Sequence, residues 1–272
     1  MAVTVSAFYR FTPLADRAAL ATMLAARAAA LGIRGTVLLA PEGINGTISG
    51  TDPSLAGFFG ALRADPRFAG LETKDSAADA HPFRKLKVRL RPEIVTYGVP
   101  SADPSRAVGT YVAPADWNAL VSDPDVLLID TRNTYEVAVG TFAGAIDPKT
   151  RTFGEFAAFV RDNLDPARHP KVALFCTGGI RCEKATAHLK ALGFRDVYHL
   201  AGGILKYLET VPAEQSLWRG ACFVFDDRVA VGHGLAIAPH RRCDRCGQPV
   251  PAPAEARTAA THPAALCADC GC

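Results

Sequence analysis

Val172-Ala-Leu-Phe175 runs directly into Cys176-Thr-Gly-Gly-Ile-Arg181, and a segment of helical spacing follows. A short apolar run of this kind suits a buried strand of a parallel sheet. Thr177-Gly178-Gly179 can turn tightly because glycine carries no Cβ to clash. From about Arg181 onward, Ala185, Leu189 and Leu192 fall on one side, and Gly193 supplies a stop. A strand, a glycine turn and a helix N-terminus direct successive backbone N–H groups at one point, which makes an anion-binding nest.

Cys176 stands at that point. Backbone donors, the helix dipole and Arg181 all favour the charged form of a thiol placed there, so Cys176 is expected to be a thiolate and a candidate nucleophile. The plainer reading is a buried structural cysteine beside an ordinary turn. Cys182, six positions on, is either a resolving thiol for an oxidised or persulfurated Cys176, or a helix residue packed inward.

Upstream, residues 3–11 read as a strand, Leu14 to Leu31 as an alanine-rich helix closed by Gly32, and Ile33 to Ala40 as a strand. A turn over Pro41-Glu-Gly-Ile-Asn-Gly46 leads to a strand at Thr47–Ser49, Pro53 to Arg63 reads as a helix, and Phe68–Asp75 and Leu86–Val95 read as strands. That order, βαββαβ, predicts a ferredoxin-like domain over residues 1–97. Within it, Leu86, Val88 and Leu90 alternate with Lys85, Lys87, Arg89 and Arg91. Four cations on one strand face form either a solvated edge that resists aggregation or a track for a phosphate backbone.

Residues 96–111, with Gly98, Pro100, Pro104 and Gly109, read as a linker. Beyond it, short strands alternate with helices. Asp116–Val121 reads as a helix and Val126–Asp130 as a buried strand ending in a carboxylate. A strand is expected at Gly144–Asp147, a helix at Phe153–Leu164, a strand at Val197–Leu200 and a helix at Ile204–Leu208. The pattern predicts an α/β domain over residues 112–220, a parallel sheet with helices on both faces. Asp130 and Arg132 at one strand end, with Cys176 at another, fit a site at the carboxyl ends of the strands. The pair either braces the cysteine loop or is a structural ion pair.

None of the eight cysteines lies in the first 175 residues, which argues against a secreted disulfide scaffold and for a reducing cytoplasm. Residues 221–272 form a Cys-rich extension. Cys243-Asp-Arg-Cys246 and Cys267-Ala-Asp-Cys270 are spaced as a four-thiolate zinc site, with His262 and Cys272 as spare ligands; the alternative is a reduced tail that binds nothing. No apolar run is long enough to cross a membrane, and no signal peptide is expected at the N-terminus. A net charge of +3 announces no global field for nucleic acid, so such a role rests on local patches.

Several strings together resemble a known family. Asp130-Thr-Arg132 with Glu136, Gly144-Ala-Ile146, the Cys176–Arg181 loop and Leu200-Ala-Gly-Gly203 resemble a rhodanese domain. Cys-Thr-Gly-Gly-Ile-Arg-Cys-Glu-Lys-Ala (176–185), Pro-Glu-Gly-Ile-Asn-Gly-Thr (41–47), Gly-Thr-Phe-x-Gly-Ala-Ile-Asp-Pro (140–148) and Cys-Phe-Val-Phe-Asp-x-Arg-Val (222–229) are similar to the rhodanese-like tRNA uridine hydroxylases. The resemblance implies oxygen-dependent 5-hydroxylation of uridine 34 in the anticodon loop of tRNA. Cys176 would be the active-site residue, supported by Gly178, Gly179 and Arg181, and Lys85, Lys87, Arg89 and Arg91 would bind RNA. Molecular oxygen is then a co-substrate, no flavin or haem signature is evident, and the electron donor is unidentified. Two readings compete with this one: a persulfide or thiosulfate sulfurtransferase, and a non-catalytic binding module.

Overall fold

The structure, a computed structural model, describes residues 2–252 together with Leu266, Cys267 and Cys270. The chain divides into two compact units, Met1–Gly98 and Val99–Cys272.

In the first unit, strands β1 (Val3–Phe11), β2 (Arg34–Ala40), β3 (Gly43–Gly50), β4 (Thr73–Ala78) and β5 (Leu86–Leu90) form one sheet in the order β4-β1-β3-β2-β5. Helices α1 (Arg17–Ala30) and α2 (Asp52–Arg63) complete the expected βαββαβ build, and β5 adds an edge strand parallel to β2. The alanine-rich α1 buries Leu20, Leu24 and Ala28, one residue per turn. In α2 the Thr51 hydroxyl caps the helix by accepting from the Ser54 N–H, and Leu55, Phe58, Phe59 and Leu62 are buried. These side chains close over Phe8, Val37, Leu39, Ile44 and Ile48 from the sheet.

Helix α1 starts at Arg17 rather than Leu14, and three other boundaries differ from the sequence expectation for a local physical reason. The hairpin turn is only Pro41-Glu42, because Gly43 already pairs with Ala40. Glycines that read as turn chemistry belong to the strand: a Cβ on Gly43 would sit 2.0 Å from the Arg10 carbonyl oxygen on β1. Phe68 ends a short 3-10 turn, so β4 starts five residues later than expected, at Thr73. Strand β5 stops at Leu90, two residues before Pro92, which cannot donate to a ladder.

In the second unit, β6 (Thr110–Val112), α3 (Pro114–Val121), β7 (Val126–Asp130), α4 (Thr134–Val137), β8 (Gly140–Phe142), α5 (Phe156–Asn163), β9 (Lys171–Phe175), α6 (Ile180–Ala191), β10 (Asp196–Leu200) and α7 (Gly203–Thr210) follow in order. Strands β6, β10, β9 and β7 lie side by side in that order, all parallel. Strand β9 is interior and buried on both faces. Ala173 and Phe175 join a core with Trp117, Phe142 and Tyr207, while Val172 and Leu174 point the other way and are equally covered. Phe142 meets Phe175, Tyr207 and Trp218 edge-on, with ring centroids 4.9, 4.7 and 5.1 Å away.

Strand β8 replaces the strand expected at Gly144–Asp147. Gly144 turns the chain at φ +79°, and only Ile146 bridges to Ile129. Strand β11 (Trp218–Gly220) pairs antiparallel with β8. The Cys-rich extension starts inside the core: Cys222, Val224 and Val231, around strands β12 (Cys222–Phe223) and β13 (Ala230–Val231), pack in the same cluster as Phe175. Strands β14 (His240–Arg242) and β15 (Pro249–Pro251) then form a hairpin around the first cysteine pair.

Candidate active site

Cys176 follows the last residue of β9, and α6 begins four residues later with Gly179 at its N-cap, φ 100°. The Gly179 N–H donates to the Cys176 sulfur at 3.1 Å. The loop is pinned from outside by α7, whose Ile204 and Leu205 N–H groups donate to the carbonyls of Cys176 and Thr177 at 3.0 and 3.1 Å. That approach requires a residue without a side chain at 203. A Cβ there would lie 2.6 Å from the Cys176 carbonyl oxygen and 2.7 Å from the Gly179 nitrogen. Gly178 forms the half-buried lip of the loop, with open space where a Cβ would project.

Cys176 is only 1% exposed. Burial works against its charge. The Cys182 thiol, the Arg181 charge and the backbone N–H groups of the helix start outweigh it and hold Cys176 at about 5. Cys182 is pushed in the opposite direction by its own burial and by the adjacent sulfur, so it stays a thiol that donates to the thiolate. The Cys182 sulfur also lies 3.7 Å from the Thr131 hydroxyl. Cys182 is thus packed inward, as one of its two readings expects, with its sulfur beside that of Cys176.

Arg181 does not point freely into the nest. Its guanidinium grips the Glu136 carboxylate through Nη1 to Oε2 at 2.7 Å and Nη2 to Oε1 at 2.8 Å. Both groups are buried. Burial opposes the charge on Glu136, but Arg181 overcomes it and keeps the carboxyl below the usual carboxylate range. Glu136 also accepts from the Asn133 N–H in a capping box that fixes α4.

Asp130 and Arg132 form a second buried pair, Nη2 to Oδ2 at 2.6 Å and Nε to Oδ1 at 2.9 Å. Arg132 donates further to the carbonyls of Glu136 and Gly140, and its guanidinium lies over the Trp218 ring at 5.1 Å. Its donors are thus committed to tying β7, α4 and β8 together, while Arg181 ties α4 to the cysteine loop.

Residues 3–94 match the acylphosphatase-like domain of the UPF0176 family, and residues 113–210 match the rhodanese-like domain. A tRNA uridine(34) hydroxylase of Rhizobium etli is 58% identical over 246 residues, 90% of this chain and 80% of that protein. Its namesake in Rhizobium leguminosarum bv. trifolii is 57% identical over 248 residues, 91% and 80% of the two chains. The chain belongs to the tRNA uridine(34) hydroxylase family. The Agrobacterium fabrum member is 56% identical over 246 residues, covering 90% of this chain and 78% of its own. The family's N-terminal and rhodanese-like domains coincide with the two sheets described above.

The remaining predicted residues fall in two places. Lys85, Lys87, Arg89 and Arg91 are exposed along the β5 edge of the first unit, while Leu86 and Val88 pack on its core. Cys243, Cys246, Cys267 and Cys270 come together with their sulfurs all within 4.8 Å of one another. That spacing suits tetrahedral thiolate coordination, in which sulfurs about 2.3 Å from a zinc ion lie roughly 3.8 Å apart. The Cys267 N–H also donates to the Cys243 sulfur at 3.4 Å. The cluster can hold a metal ion. His262 and Cys272 lie outside the described residues. Among the described residues no helix is long and apolar enough to cross a membrane.

Two contributors are not assigned a role by spacing alone. Glu136 could have been found from Asn133-x-x-Glu136, a helix-start signature that buries an acid beside the site. Cys222 brings its sulfur within hydrogen-bonding reach of the Thr177 hydroxyl, and burial pushes its thiol up to about 12. No local pattern marks that contact.

Proposed function

We propose that this protein hydroxylates carbon 5 of uridine 34 in the tRNA anticodon loop, with molecular oxygen as co-substrate and Cys176 as the reactive thiolate. The observation that carries the reading is a cysteine sulfur in a backbone cradle at a strand end, beside groups that favour its thiolate, in a chain this similar to tRNA uridine(34) hydroxylases. Gly178 and Gly179 shape the cradle. Arg181, Asp130 and Arg132 hold it, Glu136 fixes Arg181, and Cys182 keeps a proton beside the sulfur. The exchange balances when one oxygen atom enters the C5–H bond, the other leaves as water, and an external donor supplies two electrons and two protons.

The closure over Cys176 constrains the route. Thiolate addition to carbon 6 of uracil, which would make carbon 5 nucleophilic, requires the Gly178 lip to move. An oxidised sulfur adduct formed by a small species needs less room. The basic β5 edge offers a phosphate-binding track, the four-cysteine cluster takes structural zinc, and the protein works in the reducing cytoplasm. Residues 1–97 form the ferredoxin-like domain, and the rhodanese-like domain shares its core with the start of the Cys-rich extension, both within the unit Val99–Cys272.

The test is turnover of a defined tRNA with a chemical reductant in isotopically heavy O₂. The expected product is 5-hydroxyuridine at position 34 carrying one heavy oxygen atom, and none without O₂. Product carrying oxygen from water would overturn the oxygen assignment. Sulfur transfer to a small acceptor, with unmodified tRNA, would turn the reading to the sulfurtransferase.

A further inference from the structure

Among the described residues Phe225 is the most exposed large hydrophobic side chain, at 59%. It sits on the connection between β12 and β13, flanked by the buried Val224 and Asp226. The connection is held rigidly. Arg228 clamps Asp226 through two hydrogen bonds of 2.8 and 2.6 Å, both side chains being buried, and the Val229 N–H donates to the Asp226 carbonyl. Val229 adopts φ 65°, a conformation that β-branched residues rarely take. Arg242 on β14 braces the same turn by donating to the Asp226 carbonyl at 3.0 Å, and its guanidinium lies 5.9 Å over the Phe223 ring.

The turn adjoins the cysteine loop. Phe225 packs edge-on against Phe223 at 5.1 Å, and Phe223 packs edge-on against Tyr135 at 5.3 Å. Tyr135 precedes Glu136, the residue that grips Arg181. Cys222, next to Phe223, reaches the Thr177 hydroxyl. Three aromatic rings therefore lead from the flank of the cradle to the surface. Residues 219–245 carry five arginines (219, 228, 241, 242, 245) against three aspartates (226, 227, 244), a net of +2.

The geometry points to Phe225 as a stacking platform for an unpaired base of the tRNA anticodon loop, with the net positive charge of residues 219–245 attracting its phosphates. This rests on the proposed tRNA substrate. A single-stranded nucleobase fits the arrangement because it has a π-face to cover an exposed ring and a backbone charge to meet the arginines. Tyr135 and Phe223 fix the ring in place, and the turn, with Asp226 clamped by Arg228, holds it out. Phe225 is thus a positioning residue that holds the loop beside Cys176.

The experiment uses the full-length protein and an anticodon stem-loop RNA with a fluorescent base analogue next to the wobble position. Binding is read by fluorescence and turnover by nucleoside mass spectrometry. Phe225→Ala is expected to weaken binding and raise KM about tenfold with kcat little changed, the loss of one stacked base. Phe225→Tyr is expected to stay within about twofold of the wild type, and its analogue emission should show the same stacking. A merely structural role would lower thermal stability in Phe225→Ala without this split between KM and kcat. Wild-type affinity in Phe225→Ala overturns the platform and leaves the hydroxylase reading standing. A wild type that binds and stacks the RNA but forms no 5-hydroxyuridine overturns the hydroxylase reading and leaves the platform. No binding by the wild type overturns both.

Discussion

Replacing Arg181 separates what the Glu136–Arg181 pair does for the fold from what it does for the sulfur. Arg181→Met keeps an aliphatic chain of similar reach and strands the Glu136 carboxylate in a site where both side chains are almost completely buried. Breaking a buried pair by removing one partner costs about 3–5 kcal/mol. Glu136 retains the Asn133 N–H, so the lower end applies, about 3 kcal/mol. For a unit of this size, running from Val99 to Cys272, that corresponds to a fall in Tm of about 6–12 °C. Adding Glu136→Gln removes the stranded charge, and the double variant should recover to within about 1 kcal/mol of wild type. The thiolate should not recover with it. Cys176 is held at about 5 in part by the Arg181 charge, so its midpoint should rise in both variants. Calorimetry reads the first quantity, and thiolate ultraviolet absorbance, taken as a difference from the same background with Cys176→Ser, reads the second. A double variant no more stable than Arg181→Met, or a Cys176 midpoint unmoved by loss of Arg181, would refute the reasoning.

Further outcomes follow from the same geometry. Because the folded thiol is depressed to about 5, its charge persists from neutral pH downward and is lost as pH falls through 5; the acid limb of a thiolate-dependent rate should lie there, and should move to higher pH in Arg181→Met. Cys182→Ala removes a donor to the Cys176 sulfur and should raise its midpoint, whereas Cys182→Ser should largely restore it, as read by the same absorbance titration. Metal analysis should find one zinc ion per chain, lost in Cys246→Ser; a stoichiometric metal content unchanged by that substitution would contradict the four-cysteine assignment. Neutralising Lys85, Lys87, Arg89 and Arg91 together should weaken tRNA binding and flatten its dependence on salt, and an unchanged slope would return that edge to a solvated, aggregation-resistant role.

The strand, loop and helix around Cys176 were legible because their signals are local. An apolar run, a cysteine, two glycines and a helical stripe occupy consecutive positions, and each constrains the next. The four-cysteine cluster was legible for the same reason, through its two short knuckles. The contacts that set the chemistry join residues far apart in the chain. Glu136 meets Arg181 across 45 positions, Gly203 on α7 presses on the loop from outside, and Cys222 returns from beyond β11. Periodicity does not encode which strands become neighbours, so these pairings stayed hidden. Gly43 misled for a related reason: glycine serves a tight turn and a close strand approach equally well, and only the position of β1 decides between them. The near-complete closure over Cys176 was not legible either, since it depends on how α7 and α4 cover the loop.

The central claim is that the Cys176 sulfur carries the reaction. The most direct measurement is 5-hydroxyuridine formed at position 34 of a defined tRNA by the wild type and by Cys176→Ser, at matched tRNA binding. The serine hydroxyl fills the cradle but is not ionised near neutral pH, so product should fall to background while affinity for tRNA is kept. Product formation by Cys176→Ser at the wild-type rate would contradict the account.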